Sequence, residues 1–109
     1  MDITTTENNG TQIVAFNGKI DTSTAPQVEK AFAILLDAGQ PHLLANFENL
    51  SFISSAGLRV LLLTAKKAKL QSGDLKVCCL NETVKEVFDI SGFSSILKVC
   101  ATQEEALNG

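Results

Sequence analysis

The sequence predicts an α/β fold in which a mixed β-sheet is covered by amphipathic helices. Three observations carry that prediction. Short apolar, strand-like runs alternate with helical periodicities along nearly the whole chain. Turn and capping signals fall between these runs, not inside them. The 109 residues are 45% hydrophobic and 19% charged, an ordinary globular balance. A chain of this length buries roughly 60–70% of its unfolded surface, enough for one core without staples. With no repeat, low-complexity segment or linker in it, residues 1–109 read as one domain.

The elements follow in order. Asp2 to Thr6 is β-prone and precedes the Asn9-Gly10 turn signal, after which Ile13-Val14-Ala15-Phe16 reads as its hairpin partner. Gly18 breaks that run. Thr24 is placed to cap a helix, with Pro26 in the first turn where its missing N–H costs nothing. Val28, Ala31, Phe32, Leu35 and Leu36 then recur at i, i+3, i+4, i+7 and i+8, one apolar face ending at Gly39.

His42 to Phe47 reads as a second buried strand, followed by a loop from Glu48 to Ser54. A second helix opens near Ser55, turns Leu58, Leu61, Leu62 and Ala65 inward, and stops at Ser72-Gly73. Leu75 to Leu80 is the next strand. Asn81 caps a short helix with Val84, Val87 and Phe88 inward, ended by Ser91-Gly92. Ile96 to Cys100 is a last short strand, and Thr102-Gln-Glu-Glu105 is a capping box opening a terminal helix with Ala106 and Leu107. The expected core is Val28, Phe32, Leu35, Leu58, Leu61, Leu62, Val77, Val84 and Phe88.

Composition excludes several functions. The formal charge is −3 with both signs interspersed, so no basic stripe invites nucleic acid. The densest basic stretch, Lys66, Lys67 and Lys69, reads as a solvated helix face. No run approaches the roughly 18 apolar residues of a membrane span; Val60 to Leu63 is cut short by Thr64. The polar opening MDITTTENNG does not resemble a signal peptide, which makes the cytoplasm the expected compartment. Three cysteines, an odd number, fit reduced thiols.

Enzymatic and metal chemistry find no footing. There is one histidine, His42, which reads as a surface or edge residue after Pro41. Cys78 and Cys79 are neighbours on a predicted strand, so their side chains are expected on opposite faces as small apolar fillers. Phosphate-binding and dinucleotide-binding glycine patterns are absent. Ser54-Ser55-Ala56-Gly57 lacks the glycines that flank the serine of a nucleophile elbow. The expectation is a binding protein that is not an enzyme and takes no metal or cofactor.

The unusual segment is Phe52-Ile53-Ser54-Ser55-Ala56-Gly57-Leu58, which puts two hydroxyls where the chain enters an amphipathic helix. In the structural reading, Ser54 or Ser55 caps the helix and Gly57 permits close packing. In the functional reading, a helix N-terminus offers amides and a positive dipole end. A phosphate there is tolerated while adding about −1.5 to −2 charges to the surface. Such a serine can alter recognition without unfolding the domain.

Phe16-Asn-Gly-Lys-Ile-Asp21 before a helix, then Phe47-Glu-Asn-Leu-Ser-Phe-Ile-Ser-Ser-Ala-Gly-Leu-Arg-Val-Leu61, resembles the bacterial STAS domains of the anti-sigma-factor antagonist family. Leu75-Lys-Val-Cys-Cys-Leu and Val84-Lys-Glu-Val-Phe-Asp-Ile-Ser-Gly-Phe93 match the family's later strand and its helix with a Ser-Gly end. The resemblance runs from about residue 10 to 107 and implies a single STAS domain working by partner switching. In that family the unmodified antagonist binds an anti-sigma factor that is also a serine protein kinase. The kinase phosphorylates it, which ends the complex, and a serine phosphatase restores it.

The family's loop reads Asp-Ser-Ser/Thr-Gly, with the serine after Asp as acceptor. Aligned on Gly57, the acceptor is Ser55; Ser54 stands in place of the aspartate and Ala56 in place of the second hydroxyl residue. Losing that carboxylate removes a like-charge repulsion against phosphate, and puts a second hydroxyl beside the acceptor. Asp21 aligns with the family's aspartate after the early glycine. The resemblance therefore implies a docking surface of Asp21, Ser54, Ser55, Ala56, Gly57 and Arg59. STAS domains also serve as scaffolds or accessory subunits of lipid-trafficking or transport complexes without phosphorylation, the alternative reading.

Overall fold

Asn9 and Gly10 adopt left-handed φ of 49° and 88°, and close a two-residue hairpin between β1 (Asp2–Asn8) and β2 (Thr11–Ile20) as that dipeptide predicts. The structure is a computed structural model that describes residues 1–108. After the hairpin come α1 (Ala25–Asp37), β3 (His42–Ile53), α2 (Ser55–Leu70), β4 (Asp74–Cys78), α3 (Glu82–Ser91), a single 3-10 turn (Phe93–Ser95), β5 (Lys98–Cys100) and α4 (Gln103–Asn108). The strands form one sheet in the order β1-β2-β3-β4-β5. Only the β1–β2 pair is antiparallel, so the sheet is mixed, as predicted.

Strand alternation sorts the side chains onto two faces. Val14, Phe16, Leu43, Ala45, Phe47, Leu75 and Val77 face Val28, Phe32 and Leu36 of α1, Leu58 and Leu61 of α2, and Val84 and Phe88 of α3 in one large core. Ile13, Leu44, Cys78 and Cys100 lie in a second, small cluster with Ala106 of α4. A sheet growing in one direction through right-handed crossovers puts its connecting helices on one side. The terminal helix α4 is left to cover the other.

The helix signals hold at several ends. The Asn81 side chain accepts from the Val84 N–H at 2.8 Å, and Gly92 ends α3 in the left-handed region. Thr102 Oγ1 accepts from the Glu105 N–H at 3.1 Å, the first half of the capping box. Thr24 is a correction: its side chain makes no cap bond to α1. Its hydroxyl instead accepts from the Asp21 N–H at 2.9 Å and donates to the Lys19 carbonyl at 2.8 Å.

β2 and β3 run longer than predicted, whereas β4 ends at Cys78, short of Leu80, and β5 starts only at Lys98. β2 does not stop at Gly18 but passes through it at φ 127°, and β3 continues to Ile53 where a loop from Glu48 is expected. The β2–β3 register shifts twice, between Ala15 and Asn17 and between Gly18 and Lys19. Each irregularity adds a residue and breaks the period of two. Past Phe47 the buried residues therefore fall at Leu50 and Ile53, a spacing that does not look like a strand.

The inward face of α2 is also rotated from expectation. Gly57, Leu58, Val60, Leu61, Thr64 and Ala68 are buried, while Leu62 is half-exposed and outside the core. Leu61→Ala is therefore expected to cost about 2–5 kcal/mol. Leu62→Ala should cost less than Leu61→Ala, because Leu62 keeps part of its surface in water and lies outside the core cluster, whereas Leu61 is fully buried. Denaturant unfolding of the pair checks this, and equal losses would contradict the orientation.

Cys79 is the last correction. β4 ends at Cys78, and Cys79 takes φ 63°, so the strand alternation stops between them. The two sulfurs lie 3.4 Å apart, not on opposite faces.

Candidate functional site

β2 and β3 are parallel neighbours, and their last residues, Ile20 and Ile53, are register partners. The segments after them therefore emerge side by side at the carboxyl ends of the strands, a place where open sheets carry binding sites. Asp21 follows Ile20 and Ser54 follows Ile53. The Ser54 N–H donates to the Ile20 carbonyl at 2.8 Å, tying the two segments together.

Ser54 is the N-cap of α2. It has extended backbone (φ −93°, ψ 174°), its Oγ accepts from the Gly57 N–H at 3.4 Å, and its carbonyl accepts from the Leu58 N–H at 3.0 Å. Ser55 is the first helical residue and is exposed. Among the described residues its hydroxyl has no hydrogen-bond partner. The two serines thus divide the roles: one holds the helix end, the other faces solvent.

Gly57 explains how close the helix comes. A Cβ there would lie 2.6 Å from Ile20 Cγ2 and 2.7 Å from Ile53 Cγ1, both on fully buried side chains. Gly57 is itself buried, so its contribution to the site is this close approach and not a surface for a partner. Ala56 is half-buried against the core, and Arg59 is exposed. The first turn of α2 carries no acidic residue, and Lys67 and Lys69 in its last turn complement the dipole.

Asp21 holds the turn that leads into α1. Its carboxylate accepts from the Ser23 hydroxyl at 2.7 Å, the Ser23 N–H at 2.9 Å and the Thr24 N–H at 3.2 Å. The Ser23 hydroxyl first, then the Thr24 amide, hold the carboxyl below its ordinary 3.8. A carboxylate with a depressed folded pKa stabilises above the unfolded value, and that contribution disappears as pH falls through the folded one. Asp21→Ala should accordingly melt earlier than wild type at neutral pH, with the gap closing in melts run well below pH 3.8. Asp21→Asn keeps an acceptor oxygen and should retain more of the stability.

Beside these residues lies Phe52, which the sequence pattern does not mark as exposed. It is 40% exposed on β3 two residues before Ser54, paired with Lys19. The signal that would have found it is the strand extension, which the register shifts conceal. His42 stands at the opposite end of β3, with Nδ1 3.6 Å from Asp74 Oδ1. Among the described residues there is no cluster of metal-ligating side chains, and no helix is long and apolar enough to cross a membrane.

Comparisons with known proteins agree with this geometry. The STAS domain family model matches residues 2–106. BtrV of Bordetella bronchiseptica, provisionally named an anti-sigma factor antagonist, is 39% identical over 106 residues, covering 97% of this chain and 91% of its own. The anti-sigma-B factor antagonist of Bacillus subtilis is 33% identical over 87 residues, 80% of this chain and 79% of its own. Among solved structures, the anti-sigma factor antagonist SpoIIAA in its unphosphorylated form superposes with a TM-score of 0.83 at 24% identity, covering 98% of this chain and 94% of its own. The phosphorylated form of SpoIIAA, a Bacillus cell fate determinant, superposes at 0.74 with 23% identity, covering 98% and 97%. These relatives are regulatory binding proteins and not enzymes. By the family model and by the Bordetella and Bacillus subtilis relatives, the chain belongs to the STAS domain family, in its anti-sigma factor antagonist branch.

Proposed function

We propose that this chain, a single STAS domain over residues 1–109, is a cytoplasmic anti-sigma-factor antagonist that binds an anti-sigma factor with serine kinase activity. Phosphorylation of Ser55 by that kinase ends the complex, and a serine phosphatase restores it. The observation that carries the reading is the division between Ser54, whose hydroxyl caps α2, and Ser55, whose hydroxyl is exposed and unpaired among the described residues. Names of relatives as anti-sigma factor antagonists support the partner class. SpoIIAA, which exists in a phosphorylated form, supports the modification.

The chemistry is consistent. A phosphate on Ser55 sits at the positive end of a 16-residue helix with no carboxylate in the first turn, so the modified domain stays folded. Docked against a partner, the same phosphate suffers desolvation and steric conflict. The docking surface is Asp21, Ser54, Ser55, Ala56 and Arg59, with the exposed ring of Phe52 as an apolar anchor.

The test captures a partner with unmodified protein, then incubates wild type, Ser54→Ala and Ser55→Ala with that kinase and ATP. Phosphate is mapped by mass spectrometry. Wild type and Ser54→Ala should be modified at Ser55, and Ser55→Ala should stay unmodified while still binding. Phosphate retained in Ser55→Ala but lost in Ser54→Ala would move the acceptor by one residue. An active bound kinase that modifies neither serine would remove the switch.

A further inference from the structure

Adjacent cysteines on a regular strand point to opposite faces, yet the sulfurs of Cys78 and Cys79 lie 3.4 Å apart. The cause is local. Cys78 ends β4, and Cys79 takes φ 63°, a left-handed conformation uncommon for a residue with a Cβ. That turn swings the second sulfur back beside the first. Cys78 is wholly buried among Ile13, Leu44, Cys100 and Ala106. Cys79 is half-buried and lines an open depression with Asn46, Glu48 and Thr102. One thiol is sheltered, and its neighbour is open to a small solute.

We propose that Cys78 and Cys79 form a two-electron redox site, which a small hydroperoxide closes into a disulfide between adjacent residues. The solvent-facing Cys79, as thiolate, attacks a peroxide oxygen and the O–O bond breaks. Cys79 becomes a sulfenic acid, and the released hydroxide takes up the thiol proton as water. The Cys78 sulfur then attacks the Cys79 sulfur and the S–O bond breaks. Hydroxide leaves with the Cys78 proton as a second water. Two thiols and hydrogen peroxide thus give one disulfide and two waters, sulfur oxidised and peroxide reduced. Burial pushes the Cys78 thiol far up, which leaves the first attack to Cys79.

The bond is a reversible one. Cα atoms joined by a trans peptide are about 3.8 Å apart, whereas disulfides prefer roughly 4.4–6.8 Å. A strained disulfide is readily reduced, so cellular thiols reopen it. Closure also draws the sulfurs from 3.4 Å to about 2.05 Å. It does so where β4 is paired through Cys78 to both Asn46 of β3 and Cys100 of β5.

The third cysteine makes the proposal testable. Reduced protein is treated with stoichiometric hydrogen peroxide, quenched with catalase, unfolded, alkylated with N-ethylmaleimide and digested with trypsin. Cys78 and Cys79 share the peptide from Val77 to Lys85, and Cys100 falls on another. The expected result is a Val77–Lys85 peptide lighter by two hydrogens and unalkylated, which takes two labels once dithiothreitol is added first. Cys100 stays labelled throughout. Cys79→Ser should abolish the two-hydrogen loss, and Cys100→Ala should keep it. A disulfide containing Cys100, a cross-linked dimer, a sulfinic acid on Cys79 beside an intact Cys78, or two unreacted thiols would each overturn the assignment.

Discussion

Phe47→Ala is expected to remove about 3–5 kcal/mol, a large share of the roughly 5–15 kcal/mol that holds a domain folded. Phe47 is fully buried on β3, the middle strand. Its ring lies 5.5 Å from Phe16 and 6.3 Å from Phe88, tilted by 53° and 67°. Phe16 in turn meets Phe32 of α1, and Phe88 meets Phe93, so five rings run in series through the core. Each such pair adds about 0.5–1.5 kcal/mol beyond the area it buries. Removing the middle ring breaks two of them and leaves a cavity.

Phe52→Ala, on the same strand but partly exposed, is the control and should lose below about 1 kcal/mol. On the partner-docking proposal it should nevertheless weaken binding. Urea unfolding of both variants makes the comparison, and a Phe47→Ala loss as small as that of Phe52→Ala would contradict the core described above.

Gly57→Ala is the second large effect, and its sign is the informative part. In an open helix this change stabilises by about 0.5–1 kcal/mol. Here the new Cβ would sit 2.6 Å and 2.7 Å from the branch carbons of Ile20 and Ile53. Neither contact is the far end of a flexible chain, and both isoleucines are enclosed. Overpacking of this kind costs about 1–3 kcal/mol, or roughly 4–8 °C of Tm per kcal/mol in a domain of this size. The start of α2 must also move away from the ends of β2 and β3, carrying Ser55 with it. On the Ser55 phosphorylation proposal, lower Tm together with slower phosphorylation is the expected pair of results. A variant that melts later than wild type would mean the helix end is loosely seated.

Features written in local chemistry could be read before the structure. Asn9-Gly10, the Asn81 cap, the Gly92 stop and the Thr102 box each need only neighbouring residues, and each appears where expected. Two local readings failed, the Thr24 cap and the Cys78–Cys79 alternation, and the longest misreading depended on distant pairing. The second half of β3 is a strand only because β2 lies beside it, and two register shifts erase its alternation. Four consecutive apolar residues, Val60 to Leu63, satisfy several helical phases at once, so the pattern places Leu62 and Ala65 inward beside Leu58 and Leu61. Buried Thr64 and Ala68 set the true phase. At the site, Ser55 and its neighbours were recognisable as a pattern of residues. Asp21 as the carboxylate that holds the turn before α1, Ser54 as the fixed hydroxyl and the exposure of Phe52 required coordinates.

The strand order has a consequence for how the chain assembles. Each strand lies beside its immediate predecessor, from β1 through β5. No strand must wait for a later one to be inserted between itself and its partner. During synthesis from the N-terminus, the β1–β2 hairpin can form first and serve as an edge on which β3, β4 and β5 dock in turn, each delivered by the helix before it. Closing only one βα unit at a time keeps the loop entropy of every step small. The last strand to dock, β5, has only three residues, so little of the sheet depends on the final step. On this topology β3 and α2 can be seated before β4 and β5 have been made.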